Sequence, residues 1–148
     1  MLKDMKIDTI LLDVDNTLAC HGSQEPFEGT IEWSHKLVAG GIDIVICSNN
    51  NEERVAPFAK LYNLPYVSMS MKPLPIGFNK AKKMLNKKPK QVLVVGDQIF
   101  TDILGANFAN MKSVLLDPVK KEKGIGFQFK RWLEKPIRKK IKYYVTVS

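Results

Sequence analysis

Cysteine and histidine are scarce, with two of each among 148 residues. Cys20 and Cys47 are too few for a disulfide scaffold and sit at no zinc-ligand spacing, so free thiols in a reducing compartment, the cytoplasm, are expected. His21 and His35 have no partner motif and are assigned no chemistry. No stretch of about 18 apolar residues occurs, so nothing is expected to span a bilayer. Asp4, Asp8, Asp13 and Asp15 interrupt the apolar run that a signal peptide needs. Internal repeats and low-complexity tracts are missing too, which excludes repeat arrays, collagen and disordered linkers.

What is present is an ordinary globular composition, 45% hydrophobic and 26% charged, in a length that suits one domain. The net charge of +8 is localised. Segment 120–142 holds ten Lys and Arg against Glu122 and Glu134, leaving 13 of the 23 basic and 13 of the 15 acidic residues to balance elsewhere. The expected organisation is a core over 1–118 and a basic amphipathic extension of the same domain over 119–148.

Apolar runs of strand length alternate with helix-period segments, the pattern of an α/β domain with a doubly wound, Rossmann-like parallel sheet. Strands are expected over Thr9–Val14, Ile42–Cys47, Tyr66–Met69, Gln91–Val95 and Ser113–Leu116. Helices are expected near 31–39, 52–62, 75–85 and 101–110. In the extension, Phe129, Trp132, Leu133, Ile137 and Ile141 recur at helical spacing among cations. Pro136 predicts a kinked or two-part element there, because its ring meets the carbonyl of Trp132.

In such a sheet, ligands bind beyond the carboxyl ends of the strands. The polar residues cluster at those ends: Asp13, Asp15, Asn16 and Thr17 after the first strand, Ser48, Asn49 and Asn50 after the second, Lys72 after the third, Asp97 and Asp102 after the fourth. Carboxylates brought together repel at neutral pH and need a cation, and oxygen-only ligands suit Mg²⁺, which accepts phosphate as a further ligand. Asp13 and Asp15, two apart on extended chain, can share one side. One can attack phosphorus while the other handles the proton of the leaving oxygen. Ser48 and Lys72 suit the non-bridging oxygens, and Asp97 completes the metal site. Thr17 and Asn49 are further candidate phosphate ligands, although Asn49 and Asn50 also suit a turn. The competing reading of the same residues is a non-catalytic phosphate-binding scaffold in which they only cap helices and shape loops.

Asp13-Val-Asp15-Asn-Thr17, Ser48, Lys72-Pro73 and Gly96-Asp97 followed by Asp102 resemble, in order and spacing, the four motifs of the haloacid dehalogenase (HAD) phosphohydrolase superfamily. The resemblance implies a sheet of order 5-4-1-2-3, Mg²⁺ dependence and an aspartyl-phosphate intermediate. By that likeness Asp13 is the nucleophile and Asp15 the acid/base. The metal takes Asp13, Asp97 and the backbone carbonyl of Asp15, and Asp102 is either a ligand to a metal water or the group that orients Lys72. Only 30 residues separate Thr17 from Ser48, and 23 separate Ser48 from Lys72, which leaves no room for a cap domain.

Ile10-Leu-Leu-Asp13, Ser48-Asn-Asn, Lys72-Pro-Leu-Pro, Gly96-Asp-Gln-Ile-Phe-Thr-Asp102 and Lys130-Arg-Trp-Leu-Glu-Lys-Pro136 narrow the likeness. Together they resemble the capless subfamily IIIA branch called YqeG, which is similar to mitochondrial phosphatidylglycerophosphate phosphatases. That implies a phosphate-monoester substrate on a lipid headgroup, met at the inner membrane face. Cations interleaved with Phe127, Phe129, Trp132, Tyr143 and Tyr144 fit an element lying on anionic lipid. Phosphoprotein or nucleic-acid ends are the alternative substrates. The plainer expectation for the extension is that Phe129, Trp132 and Leu133 dock on the sheet while the lysines face water.

Overall fold

The computed structural model of the chain describes residues 2–117 and 125–140. The elements run β1 (Thr9–Leu12), α1 (Thr30–Ala39), β2 (Asp43–Cys47), α2 (Glu52–Tyr62), β3 (Tyr66–Val67), α3 (Ile76–Met84), β4 (Val92–Gly96), α4 (Leu104–Phe108), β5 (Lys112–Leu115) and α5 (Ile125–Lys140). All strand pairs are parallel, and the sheet order β3-β2-β1-β4-β5 is the expected one.

Runs of Ile, Leu and Val make the central strands because both faces of the sheet are covered. In β1, Leu11 lies between Val45 and Val94 in register. Its neighbours Ile10 and Leu12 point to the other face, where they pack with Ile44, Ile46, Phe58 and Tyr62 beneath α1 and α2. Leu11 joins Val45, Val94, Phe78 and Ala106 beneath α3 and α4. Each such large side chain, fully buried, stabilises the fold by about 1.5–3 kcal/mol. β1 is therefore anchored on four sides, by two strands and two helical layers, just before it delivers Asp13.

Several boundaries differ from the sequence expectation for local reasons. β3 stops at Val67 because the chain soon leaves extended geometry, with Met69 and Met71 both at positive φ. The expected helix over 101–110 divides into a π-helical turn, Ile99–Ile103, and the short α4. Of the kinked or two-part element expected in the extension, the two-part form is absent: α5 is one continuous helix with Pro136 inside it. Proline there removes one ladder hydrogen bond without ending the helix, and Pro57 is accommodated inside α2 in the same way. Ile141, Tyr143 and Tyr144, with Lys120, Lys121, Lys123 and Lys142 of the basic segment, lie outside the described residues.

Between β1 and α1 there is a small bridged loop and no inserted domain: Ala19 bridges both Asp15 and Pro26, and the Phe27 N–H donates to the Leu18 carbonyl at 2.7 Å. Among the described residues no helix is long and apolar enough to cross a membrane.

Candidate active site

Parallel pairing brings every strand exit to one rim of the sheet. The Asp13 N–H donates to the Val95 carbonyl at 3.0 Å, extending the β1–β4 ladder and fixing the backbone that carries its carboxylate. The chain then turns sharply: the N–H groups of Thr17, Leu18 and Ala19 all point at the Val14 carbonyl, and Asn16 takes φ 55°. Asp15 is held within this turn. Its Oδ1 accepts from the Gly22 N–H at 3.0 Å and from Arg54 at 2.9 Å, and its Oδ2 accepts from the Asn50 amide at 2.8 Å. Burial opposes ionisation of Asp15, yet these three donors together hold its carboxyl below the usual carboxylate range.

Lys72 reaches the same rim from the loop after β3. Its ammonium donates to Asp13 Oδ1 at 2.6 Å, to Asp102 Oδ1 at 2.7 Å and to the Cys47 carbonyl at 3.2 Å. Asn49 grips the main chain of that loop: its Oδ1 accepts from the Lys72 N–H at 2.8 Å and the Ser70 hydroxyl at 3.0 Å, while its Nδ2 donates to the Lys72 carbonyl at 3.0 Å. Asn49, a candidate phosphate ligand from sequence, thus spends both ends of its amide on placing Lys72. Ser48 Oγ accepts from the Asn50 N–H and side-chain amide, both at 3.2 Å, which leaves its own proton to donate into the pocket.

Behind Lys72, Asp13, Asp97 and Asp102 are all buried, and each offers an oxygen within 4.8 Å of the others. Asp102 Oδ2 accepts from the Gln98 N–H at 3.1 Å, and its carboxyl lies so close to the β4 exit that a Cβ on Gly96 would come within 2.3 Å of it. Only glycine fits there. Burial pushes the Asp13 carboxyl up; Lys72 opposes this, while the Asp102 and Asp97 charges add to it. Lys72 is itself held above the usual lysine range, its burial outweighed by the Asp102 and Asp13 carboxylates. Burial likewise pushes the Cys47 thiol up to about 12, so it is an inert small hydrophobe.

A pocket of about 140 Å³ opens over these groups, lined by Asp13, Asp15, Ser48, Asn49, Asn50, Lys72 and three residues that sequence reasoning missed: His21, Gln98 and Thr101. Thr17 is buried, and its hydroxyl has no hydrogen-bond partner among the described residues. Arg54, in the first turn of α2 and paired with Asp15 at 2.9 Å, was also missed.

The extension departs from both sequence readings in part. Phe129 and Trp132 are 59% and 61% exposed and stack on each other with ring centroids 6.0 Å apart, so they do not dock on the sheet. Polar side chains of α5 make the contact instead: Arg131 meets the Asp97 carboxylate, and buried Glu134 accepts from the Ile99 N–H at 2.8 Å. Among the described residues of segment 120–142, Arg131 and Arg138 face protein carboxylates.

A hard divalent cation fits three buried carboxylates with oxygen-only donors, whose mutual repulsion it would relieve. The sequence pattern of the haloacid dehalogenase-like hydrolases matches residues 19–110, a span containing Ser48, Lys72, Asp97 and Asp102. The probable phosphatase YqeG of Bacillus subtilis (strain 168) is 33% identical over 141 residues, covering 95% of this chain and 82% of the relative. A putative haloacid dehalogenase-like hydrolase from Bacteroides fragilis superposes with a TM-score of 0.68 over 84% of this chain and 93% of its own, at 17% identity. A predicted phosphoglycolate phosphatase from Haemophilus somnus 129PT gives 0.65 over 76% and 86%, at 16% identity. At those identities the structural likenesses speak for the fold alone. With a matching family pattern, a relative similar along most of its length and carboxylates gathered at the strand exits, the chain belongs to the haloacid dehalogenase-like hydrolases and is a phosphatase of that family.

Proposed function

We propose that this phosphatase is a Mg²⁺-dependent phosphomonoesterase that forms an aspartyl-phosphate on Asp13 and takes phosphatidylglycerophosphate at a membrane face. The observation that carries the chemistry is the placement of Asp13 and Asp15 together on one small pocket with the Lys72 ammonium 2.6 Å from Asp13. In this reading an oxygen of Asp13 bonds to phosphorus as the ester P–O bond breaks, and Asp15 gives its proton to the leaving alkoxide. Water then attacks the same phosphorus, Asp15 takes its proton back, and phosphate leaves with Asp13 restored as a carboxylate. Lys72 and the Ser48 hydroxyl stabilise the non-bridging oxygens, and Asn49 contributes by holding Lys72 in place. Asp13, Asp97, Asp102 and the main-chain carbonyl of Asp15 would hold Mg²⁺, which when bound neutralises the carboxylates and the phosphoryl charge.

Two observations support a lipid substrate. The pocket has room for little more than a phosphoryl group and its immediate substituent, so the remainder of a large substrate stays outside. The molecule also exposes apolar side chains beside cations: Phe129, Trp132, Leu133 and Ile137 on α5 with Lys135, Lys139 and Lys140, and Met69 and Met71 on the loop that carries Lys72, with Ile76 at the start of α3. The similarity to YqeG points to the same branch.

A substrate panel tests the proposal: phosphatidylglycerophosphate in liposomes, a phosphorylated oligonucleotide, a phosphopeptide and soluble sugar phosphates, each with EDTA and with Mg²⁺. Mg²⁺-dependent release of phosphate fastest from the lipid is expected. Preference for oligonucleotide or peptide ends would overturn the lipid assignment, and full activity in EDTA would overturn the metal site.

A further inference from the structure

An amphipathic helix ordinarily turns its apolar stripe inward. α5 does the reverse, and the groups on its inward face are charged. Residues 131, 134 and 138 share that face by their spacing. Glu134 is 1% exposed. Its Oε1 accepts from the Ile99 N–H at 2.8 Å, and its Oε2 accepts from Arg131 at 3.1 Å and Arg138 at 3.2 Å. Arg131 donates to the Asp97 carbonyl at 2.8 Å and, through its other terminal nitrogen, to the Asp97 carboxylate. Arg138 donates to that same carbonyl and, at 3.2 Å, to the carbonyl of Leu116. One carboxylate and two guanidiniums thus hold residue 97 by its backbone and its side chain, and hold residue 99 by its N–H.

Docking a helix does not require this. Apolar side chains would do so without the desolvation cost of a buried carboxylate. The grip falls on the segment between β4 and α4, which bears two of the three clustered carboxylates, Asp97 and Asp102. The geometry points to Arg131, Glu134 and Arg138 as positioning residues for the divalent-cation site: they set the orientation of the Asp97 carboxylate and thereby the affinity of the site for the ion. A carboxylate whose side chain and carbonyl are already held loses less freedom on binding a cation than one that rotates. Glu134 has a second part in this. It balances one of the two guanidinium charges, and Asp117, 3.2 Å from Arg138, balances the other, which limits repulsion of an incoming divalent ion.

This inference rests on the metal-dependent reading above, and its test separates the two. Mn²⁺ binding to the full-length protein is measured by electron paramagnetic resonance, together with the Mg²⁺ dependence of hydrolysis of a soluble phosphate ester, for wild type, Glu134→Gln, Arg131→Met and Arg131→Lys. Thermal denaturation in EDTA establishes that each variant is folded. Glu134→Gln keeps an acceptor for the Ile99 N–H and removes only the charge; Mn²⁺ binding should weaken by about 10-fold, the lower end of what loss of an outer partner of a metal ligand does. Arg131→Met should weaken it more, and Arg131→Lys should restore part of the loss. In each, the Mg²⁺ concentration for half-maximal rate should rise in parallel, while kcat at saturating Mg²⁺ stays within about 3-fold of wild type because Asp13 and Asp15 are untouched. If Glu134→Gln does not fold, the two Arg131 variants decide. Unchanged Mn²⁺ affinity in the folded variants would overturn the inference, as would tighter binding in Arg131→Met, which would make Arg131 a competitor of the ion. Failure of the wild type itself to bind Mn²⁺ would instead overturn the metal-dependent reading beneath it.

Discussion

The strand exits and the C-terminal helix meet at the same carboxylates but are built on opposite principles. At the exits of β1 and β2, polar groups project from the ends of largely apolar strands, and the sheet order brings Asp13 and Ser48 to one rim, where Asn49 braces the loop that adds Lys72. In α5 an amphipathic segment is attached through its charged face, with Phe129 and Trp132 left in contact with solvent. Topology brings the polar groups of the rim together before local contacts orient them, whereas an added helix reaches the site only through specific ion pairs. The first arrangement should therefore tolerate changes in its surroundings, and the second should fail one side chain at a time.

The largest effect on the first region should come from Lys72→Met. The substitution leaves the Asp13 and Asp102 carboxylates buried without their shared ammonium, and breaking a buried pair in this way costs about 3–5 kcal/mol. Because the carboxylates hold Lys72 above its ordinary pKa, its contribution is complete at neutral pH and is lost only as pH rises past the lysine range. In the variant the deficit should shrink on acidification, as Asp13, whose pKa is already raised, takes up a proton. Thermal denaturation of both proteins across pH checks the sign; an equal deficit at every pH would mean that lost packing, not charge, is responsible.

A smaller effect is expected at Asp15. Arg54→Met removes one of the donors that keep its carboxyl depressed, so the basic limb of kcat/KM for a soluble ester, which reports the group that gives its proton to the leaving oxygen, should move to higher pH. The stabilisation that Asp15 gives as a carboxylate is present above the usual aspartate range and lost as pH falls through its depressed value; in the variant that contribution is smaller and its loss is complete at a higher pH. Turnover should fall by less than the ~10²-fold or more expected for losing the acid/base group itself. An unmoved basic limb would show that Gly22 and Asn50 suffice.

How much of this was readable in the sequence follows the same division. The alternation of strands and helices, both helical layers and the convergence of Asp13, Asp15, Ser48 and Lys72 were readable because each depends on local apolar runs and on the rule that parallel strands end together, whereas the strand order was readable only through the likeness to the haloacid dehalogenase superfamily. Arg54 was not, because its partner Asp15 lies 39 positions earlier and nothing in the α2 pattern selects Arg54 from other surface cations. Glu134, Arg131 and Arg138 were hidden for a stronger reason. Periodicity identifies the apolar stripe of a helix, and the ordinary inference from the stripe, that it faces the core, assigns these three residues to water. Asn49 shows the converse: a polar residue at a strand exit suits a phosphate and a turn alike, and only its contacts reveal that it braces Lys72.

The two faces of α5 can be separated by their smallest and most specific effects. Replacing Lys135, Lys139 and Lys140 by Gln should weaken binding to phosphatidylglycerol liposomes by about 1 kcal/mol per lysine and leave soluble-ester hydrolysis at its wild-type rate, since these side chains are exposed. Arg138→Gln should do the opposite, lowering ester turnover at limiting Mg²⁺ while leaving liposome binding nearly unchanged, because Arg138 is spent on Glu134 and the Asp97 carbonyl. Sedimentation with liposomes and a soluble-ester assay on both proteins provide the comparison. Loss of both properties in both variants would mean that α5 acts only as a structural unit.

The central claim is that Asp13 carries the phosphoryl group, and mass spectrometry of the Asp15→Asn variant quenched during turnover tests it most directly. Without the Asp15 carboxylate to activate water, the second half-reaction stalls. One phosphoryl adduct on the peptide bearing Asp13, absent from Asp13→Asn under the same conditions, is the expected result. A phosphoryl group found on another residue, or turnover in Asp13→Asn at the wild-type rate, would contradict it.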